Sequence, residues 1–308
     1  MNFWNGGMTM EELLRRLREE EISVSENCPL AEHSTFRVGG FARAAAFPNT
    51  REKLVKVLNS VRDLGIRFIV MGNASNVVFS DAGFDGLVIF TGECKTLSVT
   101  ETQICADCGV SLGKVATAAL DRGLAGAEFL FGIPGTVGGG VFMNAGAFGG
   151  CMEQICVSSE YWDCDTGMIA SMTGDMHQFG TRTSVYADNP QYILLGACFA
   201  LTKGDAKEIR SKMDDYITRR KQTQPLEYPS AGSVFKRPVG YFAGKLIEDC
   251  GLKGLTVGGA QVSQKHAGFI INIGDATSAD IKELVEQIKT VVLKETGVEL
   301  ECEIRFIE

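Results

Sequence analysis

Apolar side chains recur at Leu54, Val57, Leu58, Val61 and Leu64, three and four residues apart, which puts them on one face of a helix. Thr50 stands before that stretch as a cap and Gly65 after it as a stop. The period then changes. "IRFIVMG" (66–72) and "GLVIF" (86–90) are short unbroken apolar runs of the kind that make buried strands. Two more strand-like segments fall between Leu97 and Ala106, and Ser111 to Arg122 reads as a helix closed by Gly123. Strands return at about 154–163, 168–172 and 192–201, with Asp165-Thr166-Gly167 as a hairpin-type turn. Asp205 and Glu208 form a capping box that opens a charged helix with Ile209, Met213, Tyr216 and Ile217 on one side, ending before Pro225. Thr9 and Glu12 form a similar box ahead of Leu13, Leu14 and Leu17. Helices follow at about 241–250, closed by Gly251, and from Ser278 to Thr296, closed by Gly297. The last element, "VELECEIRF" (298–306), alternates, with Val298, Leu300, Cys302, Ile304 and Phe306 on one face and Glu299, Glu301, Glu303 and Arg305 on the other. Mixed helix and strand of this kind excludes an all-helical fold, and no internal repeat is present. The main boundary is expected near residue 204, where a strand gives way to a polar helix.

One stretch fits neither period. Residues 132–150, "GIPGTVGGGVFMNAGAFGG", hold eight glycines and no charge. Each glycine opposes order, and a flexible linker would tolerate them, but linkers rarely carry Ile133, Val137, Val141, Phe142, Met143 and Phe148. The other reading is a backbone that must approach something closely. A second small-residue loop, "GNASN" (72–76), directly follows the strand ending at Met71. Successive amides in turns make concave anion sites, so the two loops together favour phosphate binding over plain turn chemistry. Neither G-x-G-x-x-G nor G-x-x-x-x-G-K-[ST] occurs, which disfavours a standard dinucleotide fold and a P-loop.

Length and charge narrow the choice. A chain of 308 residues exceeds the usual single domain, so two or three are expected. The net charge of −8 and the lack of a basic cluster argue against nucleic acid as a partner. The amino terminus lacks the basic start and apolar core of a secretion signal, and no apolar stretch is long enough to cross a bilayer, so a cytoplasmic protein is expected. Ten cysteines scattered through such a chain are expected to be reduced thiols. Cys105 and Cys108 have C-x-x-C spacing, but His33, His177 and His266 stand at no metal-ligand spacing, so no metal is expected.

Several blocks carry a resemblance. "HSTFRVGG" (33–40), "GNASNVVFSDAGFDGLVI" (72–89) and "GLAGAEFLFGIPGTVGGGVFMNAGAFGG" (123–150) resemble the flavin-binding half of the UDP-N-acetylenolpyruvoylglucosamine reductase family. "YPSAGSVFKRPVGYFAGKLIEDCGLKG" (228–254), "VSQKHAGFIIN" (262–272) and "ECEIRF" (301–306) resemble its substrate-binding half, in the shorter of the family's two forms. The likeness implies an α+β fold, with a two-subdomain FAD-binding domain of the vanillyl-alcohol-oxidase (PCMH) type and a C-terminal α+β substrate-binding domain. The expected limits are an N-terminal helix at 1–27, the FAD domain at 28–204 with subdomains of about 28–95 and 96–204, and the substrate domain at 205–308.

The resemblance also implies the chemistry. FAD is held non-covalently, NADPH reduces it, and the enolpyruvyl ether of UDP-N-acetylglucosamine-enolpyruvate is reduced to UDP-N-acetylmuramate, a peptidoglycan precursor. Gly72, Asn73, Ala74, Ser75, Asn76, Gly132, Gly135, Thr136, Gly138, Gly139, Asn144, Ala145 and Gly146 would surround the cofactor. Because this family makes no covalent flavin link, His33 reads as a structural or hydrogen-bonding residue. The family's catalytic serine falls on Ser233, its arginine on Arg182 and its acid on Glu303. Arg305, about 7 Å along the strand from Glu303, matches a substrate arginine. Lys245 and Lys265, cations in small or apolar blocks, are candidates for the uridine diphosphate, since an unpaired charge there would be costly. Two positions depart from the pattern: Thr181 stands where the family commonly has tyrosine, and Thr223 where the short form has lysine, with Arg220 or Lys221 available to compensate. No obligate protein partner is implied. The rival readings are an FAD-dependent oxidase of the same superfamily and a non-catalytic flavin- or nucleotide-sugar-binding paralogue.

Overall fold

In the computed structural model, which describes residues 6–308, the first helix α1 (Gly6–Glu19) begins before the Thr9–Glu12 pair that was expected to start it. Glu12 is no cap partner and instead pairs with Arg15 and Arg16 on the next turn. Leu13, Leu14 and Leu17 are buried as their spacing requires. The helix is not a separate segment, because these leucines share one core with Leu54, Val57, Leu58 and Val61 of α2 (Arg51–Asp63). Thr50 Oγ1 accepts the Lys53 N–H to start α2, and Gly65 follows in the left-handed region at φ +61°.

The chain divides into two compact units. The first comprises residues up to Glu26, Ala44–Asn73 and Gly86–Ile217. The second comprises Asn27–Arg43, Ala74–Asp85 and Thr218–Glu308. A cut at 204/205 is therefore replaced by one inside α6 (Ala206–Thr223). The reason is packing: Ile209 and Met213 are buried in the core of unit 1, and Tyr216 stacks on Phe148 with ring centroids 4.3 Å apart.

The first sheet has the order β1 (Ser23–Pro29), β2 (Phe41–Phe47), β5 (Phe84–Phe90), β3 (Phe68–Met71), with β3 and β5 parallel. The second sheet lies wholly in unit 1 and is antiparallel throughout. Its order is β12 (Ile169–Thr173), β11 (Cys156–Asp163), β13 (Tyr192–Ala200), β7 (Gln103–Asp107), β6 (Leu97–Thr100). One continuous core serves both sheets, from Ala44, Leu87 and Ile89 to Ile104, Leu195 and Phe199. Helix α3 (Leu112–Asp121) packs into that core through Leu112, Val115, Ala116, Ala119 and Leu120. The expectation of ten reduced thiols is corrected here. Cys105 and Cys198 face each other across β7 and β13, their Cα atoms 4.0 Å apart, and are joined as a disulfide. The sequence hides this because the two positions are 93 residues apart. The other half of the C-x-x-C pair, Cys108, is a free buried thiol that desolvation pushes upward.

Unit 2 has its own core. Helix α8 (Ser278–Thr296) buries Ile281, Leu284, Val285, Ile288 and Val292, each worth about 1.5–3 kcal/mol relative to exposure. It begins with a capping box between Thr277 and Asp280 and ends at Gly297 (φ +72°). Asp81 adds a carboxylate at the same N-terminus, accepting from the Ser278 N–H and Oγ at 2.8 Å each and from the Ala279 N–H at 3.1 Å. The antiparallel sheet β15 (Thr256–Val257), β16 (Ala260–Val262), β17 (Ile270–Asn272) and the short helix α7 (Ala243–Asp249) share its core. The terminal alternation is real in burial, but only β18 (Arg305–Ile307) is a strand, parallel to β4 (Val77–Phe79). No helix among the described residues is long and apolar enough to cross a membrane.

Candidate functional site

The glycine run is not loop throughout. Thr136 is the N-cap of a six-residue helix, α4 (Val137–Phe142), and β9 (Gly146–Ala147) and β10 (Gly150–Cys151) form a small hairpin after it. Two of the residues expected to face the cofactor use their amides within the protein, Gly138 N–H donating to Cys108 O and Ala145 N–H to Gly140 O, both at 2.8 Å, and the neighbouring Val137 N–H donates to Val110 O. Several glycines are there because neighbours crowd them. A Cβ at Gly138 would lie 3.1 Å from Cys108 Cβ, and one at Gly140 would lie 2.6 Å from Met152 Cε. Gly139 differs. It is exposed, and the nearest atom to a Cβ there would be Thr136 Oγ1 at 3.9 Å.

The two small-residue loops do meet. A Cβ on Gly72 would come within 2.2 Å of Thr136 Oγ1, and Asn73 Nδ2 donates to Pro134 O at 3.2 Å. The result is a surface made by residues 72–73 and 134–139 on which a Cβ at the exposed Gly139 would meet nothing nearer than ordinary contact with Thr136 Oγ1. That surface suits the close approach of an anionic group such as a diphosphate, so the residues present fit FAD. Gly132 turns the chain into it at φ +92°. The unit boundary falls within "GNASN", and Ala74, Ser75 and Asn76 belong to unit 2.

Arg182 occupies a strained position. Gly180 and Thr183 exchange backbone hydrogen bonds of 3.1 and 3.4 Å, which leaves Thr181 and Arg182 at the tip of a tight turn. Arg182 takes φ +58° there, a conformation that glycine or asparagine ordinarily supplies. Its side chain is half-buried, and Nη1 donates to Gly146 O at 3.3 Å. Arg182 is therefore not a solvated turn side chain but one laid against the glycine run. Asn144 is buried at φ +43° and works as a tie: Nδ2 donates to Gly180 O at 3.0 Å, and Oδ1 accepts the Glu153 N–H. Ser184 Oγ donates to Phe142 O at 2.9 Å on the far side of the turn.

In unit 2, residues 233–236 run between two partners. Ser233 bridges Phe269 on one side and Phe235 bridges Cys302 on the other. Val234 N–H donates to Gly268 O, and Val234 O accepts the Glu303 N–H at 2.7 Å. Ser233 and Glu303 are thus held one residue out of step on the same hydrogen-bonded pair. Asn76 fastens the other edge, donating through Nδ2 to Glu303 O and accepting the Arg305 N–H on its carbonyl. Burial also separates the three glutamates of the terminal segment, which alternation left alike: Glu299 and Glu301 are exposed, Glu303 half-buried.

The two lysines do not meet the premise that selected them. Lys245 is exposed and paired with Asp249 one helical turn on. Lys265 is also exposed, with Nζ donating to Lys221 O at 2.7 Å and lying 3.4 Å from Glu227. Neither is a buried charge requiring an anion. Arg220 comes closer to that description. Its Nε is buried without a hydrogen-bond partner, as is Gln224 Oε1, and desolvation lowers its pKa.

Known proteins match this arrangement along its length. An FAD-binding-domain family model matches residues 42–173, and one described as "UDP-N-acetylenolpyruvoylglucosamine reductase, C-terminal domain" matches residues 224–307. A reductase of that name from Caldanaerobacter subterraneus is 41% identical over 97% of each chain. The chain belongs to the UDP-N-acetylenolpyruvoylglucosamine reductase family. The reductase of Clostridioides difficile is 44% identical over 96% of each chain. A solved UDP-N-acetylenolpyruvylglucosamine reductase from Thermus caldophilus superposes with a TM-score of 0.79 at 33% identity, over 93% of this chain and 99% of that one.

Within this reductase family chain, the FAD-binding model spans the glycine run, and the C-terminal model spans Ser233, Glu303 and Arg305. Of the two cations that could replace the family lysine at Thr223, Lys221 is exposed, and Arg220 is the one with an unmet donor. Sequence reading missed one group altogether. Ser159, His177 and Tyr186 form a fully buried polar cluster beside the Arg182 turn. Its only signal in the sequence is His177, one of three histidines in the chain.

Proposed function

We infer that this chain is an NADPH-dependent flavoenzyme that reduces the enolpyruvyl ether of UDP-N-acetylglucosamine-enolpyruvate to UDP-N-acetylmuramate. Family membership over nearly the whole length carries the reading, supported by the presence of Arg182, Ser233 and Glu303 at the motif positions. When bound, FAD supplies a two-electron relay between the nicotinamide and the substrate's double bond. Gly72, Asn73, Gly135, Thr136 and Gly139 would hold its diphosphate through backbone and hydroxyl donors.

Hydride addition at the terminal carbon breaks the double bond and builds negative charge on the adjacent carbon and into a carboxylate that is already an anion. The Arg182 guanidinium grips that carboxylate and meets the growing charge. Ser233 gives its proton to the carbanionic carbon, a transfer that works because the hydroxyl is held against the base rather than because it is acidic. Glu303 is the acid of the group, and Arg305 serves the sugar nucleotide. The substrates are soluble nucleotides, and we place the reaction in the cytoplasm.

The reading is tested by anaerobic turnover. NADPH oxidation should depend on the enolpyruvyl nucleotide and yield the lactyl ether. Rapid oxygen uptake without substrate-driven NADPH oxidation would assign the chain to the oxidases instead, and flavin binding with no turnover to a binding protein. The cradle has its own test. Gly139→Ala is expected to leave the thermal stability of the cofactor-free protein intact, because the added methyl has room, and to weaken FAD binding. Unchanged FAD affinity by fluorescence titration would remove Gly139 from the cradle.

A further inference from the structure

The buried cluster beside the Arg182 turn has a role beyond filling the core. Ser159 lies on β11, the second strand of the five-stranded sheet, hydrogen-bonded to a neighbour on each side. Its Oγ stands 2.7 Å from His177 Nε2 and 2.6 Å from the Tyr186 hydroxyl. The proton positions follow from the partners. His177 Nδ1 lies 2.9 Å from Gly174 O, and a carbonyl can only accept, so Nδ1 carries the ring proton. In the uncharged tautomer with the proton on Nδ1, Nε2 accepts from the Ser159 hydroxyl and the Ser159 oxygen accepts from Tyr186. Burial pushes the Tyr186 hydroxyl pKa upward, which keeps that proton in place.

His177 and Tyr186 are the two stems of the Arg182 turn. His177 ends the 3₁₀ turn Gly174–His177, and Tyr186 sits on the short helix α5 (Val185–Asp188). Between them the chain makes two excursions to positive φ, at Gln178 (+46°) and Arg182 (+58°). Such conformations cost about 1–3 kcal/mol each and persist only where the surroundings fix them. A single hydroxyl on a rigid strand holds both stems. Asn144 and Ser184 hold the turn's inner part to the glycine run.

We propose that Ser159 is a positioning residue for the reductive step, acting through His177 and Tyr186 to hold Arg182 in its strained orientation. The proposal rests on the catalytic role assigned to Arg182 above. Ser159 touches no reacting atom, so its effect must appear only where Arg182 works.

The test separates the two half-reactions by anaerobic stopped flow, mixing NADPH-reduced enzyme with the enolpyruvyl sugar nucleotide. Ser159→Ala is expected to keep full FAD content and the normal rate of flavin reduction by NADPH, while slowing substrate reduction about tenfold, the scale of one lost buried hydrogen bond. Ser159→Thr, which keeps the hydroxyl, should restore most of that rate. In an Arg182→Ala background, Ser159→Ala should cost nothing further. If Ser159→Ala does not fold, Tyr186→Phe, which deletes one oxygen, carries the same expectations. A wild-type rate in Ser159→Ala, equal losses in both half-reactions, or full additivity with Arg182→Ala would each overturn the proposal while leaving the role of Arg182 standing. Substrate reduction at normal speed in Arg182→Ala alone would instead remove the reading on which the proposal rests.

Discussion

Ser233→Ala is expected to leave flavin reduction by NADPH unchanged and to slow the reduction of the enolpyruvyl ether by about 10²–10⁴-fold, the range for losing a positioned proton donor. The backbone around Ser233 makes this a clean substitution. Gly232 before it turns at φ +79°, Val234 after it is fully buried, and the segment is hydrogen-bonded to Gly268 on one side and to Glu303 on the other. None of those contacts uses the hydroxyl, so alanine should remove the proton donor and leave the scaffold. Stopped-flow traces of each half-reaction, with product trapped by acid quench, measure the split. An equal loss in both halves would mean that Ser233 shapes the fold rather than donating the proton.

Arg182→Ala is expected to cost about 10²–10³ in the same step, the scale for removing one preorganised donor from a developing anion. Arg182→Lys keeps the charge but not the planar fork, so it should recover only part of the rate. A complication works in favour of the assignment. At φ +58° arginine is strained, and Arg182→Gly would relieve the backbone while deleting the guanidinium. A variant that is more stable by thermal melt yet defective in substrate reduction would show that the strain is kept for function. If Arg182→Gly were as fast as the parent, the arginine would have no part in the chemistry.

Elements built on local signals were legible in the sequence. Thr50 and Gly65 bound α2, Thr277 and Gly297 bound α8, and β11, β12 and β13 lie where the apolar runs put them. What escaped depends on partners far away in the chain. The Cys105–Cys198 bridge needs the β7–β13 register, which no local pattern specifies. Glu303 could not be told from Glu299 by alternation, because its burial comes from the edges supplied by Asn76 and Val234. The glycine run was read for amides facing a ligand, yet two of its amides serve Val110 and Cys108, and close packing explains much of its composition. The family positions of Arg182 and Ser233 were visible as motifs. The left-handed turn that makes Arg182 unusual was not, since nothing local in "GTRTSV" calls for it.

The way unit 2 is assembled sets an order of events during synthesis. Phe36, Val38 and Val78 leave the ribosome early, but the rest of the buried core that receives them is built from residues from Ala231 onward. Asp81 likewise reaches the α8 N-terminus across 197 residues. These two early segments must therefore wait, with apolar surface bare, until almost the last residue has been translated. The nascent chain is thus most open to chaperone capture, and a carboxyl-terminal fragment least able to stand alone, for one and the same reason.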